Sequence, residues 1–201
     1  MIIFRLVFLV LILFSQNTYA DYQKAIELLN QKLIKESLVE FSNVIKESND
    51  KNIKSKAMYN IAVIHDFGLG VKENDDLAVA WYKESSNHGH KIAQYNLGWM
   101  FYHGEKVSKN YFEAFKFYKL SANQGYAKAQ FNIANLRLAG LGTIKDNIEA
   151  YKWFRLAKIN GIRQSEIFIK NLKRILNKDE LKKSEKLVED WIINFTSQEK
   201  K

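Results

Sequence analysis

Three asparagines recur at a fixed interval of 36 residues, and their side-chain amides suit recognition of an extended peptide. They are Asn60, Asn96 and Asn132. An amide group offers both a hydrogen-bond donor and an acceptor, which matches the alternating N–H and C=O groups of an extended backbone. The alternative is that each asparagine bonds a neighbouring helix carbonyl and holds adjacent repeats in register. The sequence leaves both interpretations open.

Two further side chains are candidates for contact with a partner, because they depart from the pattern that surrounds them. Trp99 of the second repeat occupies the position of Val63 in the first repeat. Arg137 of the third repeat occupies the position of His65 in the first repeat. Tryptophan is enriched among the residues that anchor protein interfaces. Local packing against the adjacent unit explains Trp99 equally well.

No residue pattern predicts catalysis, a cofactor or a metal site. The chain has no cysteine and four histidines, of which the pair His88 and His90 lies in a junction between repeats. No His-x-x-x-His spacing on a helix supports a metal site there. The Gly-x-Gly loops follow helices rather than strands, which disfavours a nucleotide site. No Ser-His-Asp order or distinctive carboxylate pair is present either. We therefore expect a non-enzymatic protein with no cofactor and no bound metal.

The elements that position these residues belong to a repeat that occurs three times without a gap. Alanines, aromatic residues and glycines return in the same register. The matched sets are Ala57/Ala93/Ala129, Ala78/Ala114/Ala150, Trp81/Phe117/Trp153, Tyr82/Tyr118/Phe154 and Gly89/Gly125/Gly161. A fixed period of this size indicates a helical solenoid, and such arrays generally bind other molecules along an extended surface.

Each repeat is predicted to be two antiparallel helices. Apolar residues of the first helix, such as Ala57, Ile61 and Ile64, fall at helical spacing. This helix should end at the glycine that takes the left-handed C′ conformation. These glycines are Gly68, Gly104 and Gly140. The second helix should start after an N-capping side chain. The capping candidates are Asn74, Asn110 and Asp146. Small residues, among them Gly98 and Ala134, should mark close approaches of helix axes, with aromatic rings filling the gaps.

The regions on either side of the three repeats are predicted to complete the array. Residues 21–54 read as a shorter helical hairpin, followed by repeats at 55–89, 90–125 and 126–161. Residues 162–201 should form capping helices. The last of these helices should begin at a capping box from Asn177 to Glu180 and cover the exposed core of the final repeat.

The first twenty residues read as an export signal. Arg5 supplies a positive charge, an apolar run follows, and Thr18-Tyr19-Ala20 precedes the predicted cleavage before Asp21. The apolar run from Leu6 to Phe14 is short for a bilayer span, which needs about 20 residues. The sequence therefore predicts a periplasmic or secreted protein without a stable membrane span after cleavage. An uncleaved N-terminal anchor is the alternative.

The charge balance is basic but does not identify a partner. The chain carries 31 Lys and Arg against 22 Asp and Glu, a net charge of +9, and loss of Arg5 with the leader leaves +8. No basic run is long enough to form a tail, and an exported protein rarely meets nucleic acid, so no nucleic-acid partner is expected. Anionic envelope components and acidic proteins remain compatible with this charge.

The repeat closely resembles the Sel1-like repeat, a relative of the tetratricopeptide repeat. Ala57 to Gly89 reads AMYNIAVIHDFGLGVKENDDLAVAWYKESSNHG, and the units at Ala93 to Gly125 and Ala129 to Gly161 match it position by position. Lys106 departs from the pattern, since it replaces the second loop glycine. We expect either a different loop path there or backbone strain at Lys106.

The resemblance implies an all-α, right-handed α-α superhelix that acts as an adaptor. In tetratricopeptide-like arrays the first helices line the concave side, and asparagine at the matching position bonds peptide ligands. By this resemblance, Asn60, Asn96, Asn132, Trp99 and Arg137 would bind a peptide or partner protein in the groove. Some exported relatives are associated with envelope maintenance. The alternative function implied by the family is an envelope enzyme or a regulator of cell-wall metabolism, acting on peptidoglycan or β-lactams.

Overall fold

A computed structural model describes residues 18–198. These residues form helices joined by short connections, and they contain no strand. Ten helices follow one another within these residues. They are α1 (residues 18–30), α2 (Ile34–Glu47), α3 (Lys51–Asp66), α4 (Asp75–Asn87), α5 (Lys91–His103), α6 (Tyr111–Asn123), α7 (Ala127–Ala139), α8 (Asn147–Ile159), α9 (Ser165–Ile175) and α10 (Lys178–Gln198). The predicted all-α helical-repeat fold is confirmed. The chain divides into two compact units, with the boundary between Ala93 and Gln94.

The helix ends follow the local signals in the sequence. Asn74 accepts a hydrogen bond from the Leu77 amide, and Asn110 accepts bonds from the amides of Phe112 and Glu113. Asp146 caps α8 in the same way. These bonds satisfy backbone N–H groups that have no partner within the first helical turn. The glycines predicted to end the first helix of each repeat follow α3, α5 and α7 with positive φ angles.

Lys106 adopts the backbone conformation that its glycine counterparts use. Its φ is +63°, close to the +67° of Gly70 and the +65° of Gly142. The loop at Lys106 therefore follows the same path as the loops at Gly70 and Gly142. Of the two expectations, a different path or backbone strain, the second is the one that holds. A left-handed conformation costs a residue with a Cβ about 1–2 kcal/mol.

The first unit contains α1 to α4, and its core joins all four helices, with Ala25 of α1 fully buried in it. Phe41 and Val44 of α2 are fully buried with Ile61 and Ile64 of α3, and Trp81 of α4 packs against this cluster. The connection between α1 and α2 is as short as predicted and passes through Lys32, whose φ is +63°. The hairpin that precedes the repeats therefore shares one core with the first repeat.

The second unit runs from α5 to α10 around a core of aromatic and small residues. Phe154 of α8 stacks on Phe168 of α9 with ring centroids 4.6 Å apart, and Phe131 of α7 meets both rings edge-on. One face of α8, in the third repeat, is buried throughout. This face consists of Ala150, Trp153, Phe154 and Ala157.

The C-terminal helix covers the last repeat, as the sequence predicts. Its capping box is reciprocal, because the Asn177 amide donates to Glu180 and the Glu180 amide donates to Asn177, both at 2.9 Å. Helix α10 packs on α8, where Trp191 meets Trp153 and Glu185 accepts hydrogen bonds from Tyr151 and Arg155. These contacts close the exposed side of the final hairpin.

Most of the predicted leader lies outside the described residues, which begin at Thr18. The predicted cleavage point before Asp21 falls inside α1, and Thr18 is buried with its hydroxyl 3.5 Å from that of Ser48. Between residues 18 and 198, no helix combines the length and the apolar character that a membrane crossing requires.

Gly98 marks a close approach of α5 and α6 in the second unit. A Cβ built on Gly98 would lie 2.6 Å from Cδ1 of Tyr118, and the Tyr118 side chain is fully buried. The absence of a Cβ at Gly98 therefore allows the Tyr118 ring to pack directly on α5.

This contact predicts that Gly98→Ala destabilises the protein, although alanine is the better helix former. Helix propensity favours the alanine by about 1 kcal/mol, whereas overpacking a dense core costs about 1–3 kcal/mol. We expect a net loss in the free energy of unfolding, measured by urea denaturation. Ala134→Gly, at the equivalent position of the next repeat, is the matched control and should lose about 1 kcal/mol through propensity alone. Stabilisation by Gly98→Ala would contradict the assigned contact.

Candidate functional site

The second unit contains an aromatic cavity of about 450 Å³ between α5, α6 and α7. This volume lies in the range of sites that hold a small ligand or several side chains of a peptide. The lining residues are Tyr95, Trp99, Tyr102, His103, Tyr118, Asn132, Asn135, Leu136, Leu138, Ala139 and Leu141. We refer to this set as the aromatic cavity.

Helix α5 supplies most of the aromatic wall. Tyr95, Trp99 and Tyr102 follow one another at intervals of four and three residues, which places them on one face of the helix. The Trp99 ring lies 4.5 Å from that of His103, centroid to centroid. Across the gap, Tyr118 of α6 approaches Tyr95 with a centroid distance of 5.7 Å, an arrangement that the close packing at Gly98 permits.

Helix α7 supplies the polar groups and the aliphatic side of the cavity. The Asn132 side chain lies beside the hydroxyl groups of both Tyr95 and Tyr118, close enough to interact with them. Asn135 donates one amide N–H to the Phe131 carbonyl at 3.0 Å. Because a side-chain amide has two N–H donors and an acceptor oxygen, both asparagines keep hydrogen-bonding capacity for a ligand.

The aromatic cavity carries little formal charge. No carboxylate lines it among the described residues. Burial raises the pKa of Tyr95 and, more strongly, that of Tyr118, so both tyrosines remain neutral across the physiological range. The arrangement suits binding of an uncharged apolar or aromatic group, with amides placed to bond polar atoms beside it.

The other predicted asparagines lie elsewhere. Asn60 belongs to the first unit, where its amide donates to the Lys56 carbonyl at 2.9 Å and to the Tyr22 hydroxyl at 3.2 Å. Asn96 is half-buried on α5 and is not among the cavity-lining residues. The structure thus brings Trp99 and Asn132 together, and it gives Asn60 and Asn132 the same kind of tyrosine partner.

Arg137 follows the cavity residue Leu136 on α7 but does not line the cavity. Its guanidinium carbon lies 4.8 Å from the Phe115 ring centroid, and Nη1 donates to the Ile144 carbonyl at 3.4 Å. Of the five predicted site residues, Trp99 and Asn132 line the aromatic cavity.

Sequence reasoning missed most of the aromatic wall. Tyr118, a repeated aromatic position of the sequence, is buried and also lines the cavity. Tyr95 and Tyr102 received no functional role. The spacing of Tyr95, Trp99 and Tyr102 on one face of α5 is the signal that could have identified them.

His90, near the repeat junction, packs against a neighbouring aromatic ring. His90 is partly buried, its ring lies 4.6 Å from that of Tyr59, and its Nδ1 accepts a hydrogen bond from the Ala93 amide. Burial, together with nearby Lys56 and Lys91, lowers the pKa of His90 to about 4, so the ring is neutral. Within residues 18–198, no cluster of histidine and acidic side chains is arranged to hold a metal ion.

A family comparison agrees with the repeat that both the sequence and the helices display. The model of the Sel1 repeat matches residues 11–31, 55–90, 91–126 and 127–161, which together exceed half of the chain. The protein belongs to the Sel1 repeat family. The three later matches coincide with the predicted repeats to within a residue or two, and the first match begins inside the predicted leader.

Solved structures of Sel1 repeat proteins share this fold. A Sel1 repeat protein from Oxalobacter formigenes is 33% identical with a TM-score of 0.65, over 73% of this chain and 58% of that protein. A protective antigen present in uropathogenic Escherichia coli strains, which displays an SLR fold, is 24% identical with a TM-score of 0.54, over 94% of this chain and 49% of that protein. The chain thus spans between about half and three-fifths of these two proteins. Comparison with the curated proteins gave no significant match.

The Sel1 repeat fold is typically a scaffold for protein interactions and is typically non-enzymatic. A surface that a partner could bind has to be sought in this chain's own residues.

The buried tyrosines of this Sel1 repeat protein predict a loss of stability at alkaline pH. The pKa of Tyr118 is raised above its usual value near 10, so its contribution to stability is complete below pH 10 and is lost as pH rises further. Each such group changes the free energy of unfolding by up to about 1.4 kcal/mol per pH unit. Tyr118→Phe should lose about 1 kcal/mol at neutral pH through the missing hydrogen bond, yet decline less steeply above pH 10. Urea denaturation at several pH values measures both effects. Parallel profiles for the variant and the wild type would rule out a buried neutral Tyr118.

Proposed function

We propose that this protein is an exported scaffold that captures an extended segment of a partner protein in the aromatic cavity of its second unit. The observation that carries the proposal is the convergence of four aromatic side chains and two amides on one cavity. The aromatic residues are Tyr95, Trp99, Tyr102 and Tyr118, and the amides are Asn132 and Asn135.

The lining of the cavity determines which part of a partner would enter it. Rigid aromatic rings provide a large contact area at low entropic cost, and a partner side chain that fills the space removes apolar surface from water. Asn135 and Asn132 lie three residues apart on α7, so their amides can bond successive polar groups of a peptide backbone. An apolar or aromatic side chain within an uncharged stretch is therefore the proposed anchor.

Two roles for the asparagines coexist in this proposal. In this proposal Asn132, which lies beside the hydroxyl groups of Tyr95 and Tyr118, helps to hold α5, α6 and α7 in register and to orient the cavity wall. A residue that holds the cavity wall in place contributes to binding, even when only some of its donors and acceptors contact the peptide.

Export is the second part of the proposal and rests on the N-terminal sequence. Arg5, the apolar run and the small residues before Asp21 are typical of a secretory signal. The absence of cysteine removes any need for disulfide formation after export. The proposed partner is accordingly a protein or peptide of the cell envelope or of the exterior.

The cavity can be tested by site-specific photocrosslinking in the producing cell. A photoreactive amino acid at His103, which lines the cavity and is exposed, should capture a defined partner protein. The same amino acid at Leu120, exposed on α6 but outside the cavity, is the positional control. Equal capture from both positions would contradict the proposed site.

The identified partner then allows a quantitative comparison of variants. Trp99→Ala should weaken binding by about tenfold or more, the effect of removing an interface anchor. Asn132→Ala should weaken binding, whereas Asn60→Ala, which also removes a tyrosine hydrogen bond but lies in the first unit, should leave it unchanged. Calorimetry gives the affinities, and circular dichroism confirms that each variant is folded. An Asn132→Ala protein that binds like the wild type would assign this asparagine to register alone.

Export is tested by the mass of the mature protein. A C-terminally tagged full-length chain should appear outside the cytoplasm with its N-terminus at Asp21. A product that is exported but keeps residues 1–20 would favour the uncleaved anchor. Full-length protein confined to the cytoplasmic fraction would contradict export.

A further inference from the structure

A second exposed surface of the same unit combines apolar side chains with a stacked arginine. Phe112 on α6 is 64% exposed, and Ile144 in the loop before α8 is 83% exposed. Phe115 and Arg137 lie between them. We call these four residues the Arg137 face.

The contacts among these residues join them into one continuous surface. Phe112 and Phe115 are three residues apart on α6 and share a side of the helix. The Arg137 guanidinium lies 4.8 Å from the Phe115 ring, and its Nη1 bonds the Ile144 carbonyl. The loop and the two helices therefore present their side chains together.

The backbone under this surface is held firmly. A Cβ on Gly142 would overlap the backbone of Tyr111 and Phe112, so the loop that carries Ile144 packs directly on the start of α6. Only glycine permits this approach, and its φ of +65° is also one that other residues rarely adopt. Such a surface requires little ordering when a partner binds, which favours affinity.

The repeat itself does not require apolar residues at these positions. The residues 36 positions earlier than Phe112 and Ile144 are Asp76 and Ser108, and the residue 36 positions earlier than Arg137 is Phe101. The preceding repeat therefore carries a polar residue at the position of Phe112 in the second repeat and of Ile144 in the third. An exposed apolar pair that the architecture does not need points to an interaction surface.

The charges around the Arg137 face are predominantly positive. Within three residues of its members along the chain lie Lys109, Lys116 and Lys145, against Glu113 and Asp146. Glu113 already pairs with Lys116 at 3.1 Å, and Asp146 caps the N-terminus of α8. The Arg137 guanidinium has no ion pair with a carboxylate of the described residues, and it makes one hydrogen bond, to a carbonyl. Arginine stacked on an aromatic ring is well placed to receive a carboxylate through paired N–H donors.

We propose that the Arg137 face is a docking site for an acidic protein segment that also carries an aromatic or aliphatic side chain. A carboxylate of the segment bonds the Arg137 guanidinium, while its apolar side chain covers Phe112 and Ile144. This site differs from the aromatic cavity in its charge and in its residues, so it stands whether or not the cavity binds a peptide.

The proposal can be tested by NMR titration of the ¹⁵N-labelled protein with a pair of synthetic peptides. One peptide carries a Trp-Leu pair flanked by glutamates, and its twin has lysines in place of the glutamates. The acidic peptide should shift the amide signals of Phe112, Phe115, Arg137 and Ile144, and binding should weaken as NaCl is added. The basic twin should leave these signals unchanged. Equal effects of the two peptides, no binding of the acidic one, or shifts confined to Tyr95 and Trp99 would overturn the proposal.

Substitutions at exposed positions separate binding from folding. Ile144→Ser and Phe112→Ser should each weaken binding of the acidic peptide by about tenfold, and Arg137→Gln should also reduce the salt dependence. Ile159→Ser, which changes an exposed isoleucine of α8, is the matched control and should bind like the wild type. Circular dichroism verifies the fold of each variant. If Ile144→Ser binds like the control, the face is not the docking site. If sedimentation shows a dimer that Ile144→Ser dissociates, the surface binds a second copy and the proposal is wrong.

Discussion

The second unit depends on the close approach of neighbouring helices at positions that carry almost no side chain. Gly98 has no Cβ, and this lets the fully buried Tyr118 ring pack directly on α5. At crystal-like packing density, a single added carbon atom must displace a neighbour. The orientation of α5 against α6, and hence the position of every aromatic residue on α5, follows from that contact.

The same close packing explains how a structural core and a cavity wall share residues. The rings of Tyr95 and Tyr118 pack against each other, and the Asn132 side chain lies beside both hydroxyl groups. Burial raises the pKa of both tyrosines, which keeps the wall neutral and suited to uncharged groups. The proposed role of Asn132 in ligand binding is therefore compatible with a role in repeat register.

The second unit offers two surfaces of different chemistry. The aromatic cavity is lined by no carboxylate among the described residues, whereas the Arg137 face combines the exposed Phe112 and Ile144 with an arginine stacked on Phe115. Arg137 and Leu136 are adjacent on α7, yet only Leu136 lines the cavity. Consecutive residues of a helix point about 100° apart, so one helix can serve two surfaces. A scaffold with two such surfaces can hold an apolar segment and an acidic segment at once.

The sequence alone determined the helical hairpins, their caps, the closing helix and the family, because these features depend on local rules and on a pattern repeated three times. The Asn177–Glu180 box and the caps at Asn74, Asn110 and Asp146 were predicted from residue type and spacing alone. Tertiary structure decided the partners of each side chain. It directed Asn60 and Asn132 toward tyrosine hydroxyls, turned Arg137 onto Phe115, and joined the buried Gln130 to Asn160, a bond that no local pattern indicates. Periodicity specifies the place of a residue along a helix, whereas its contacts depend on side chains from other helices that the period does not encode.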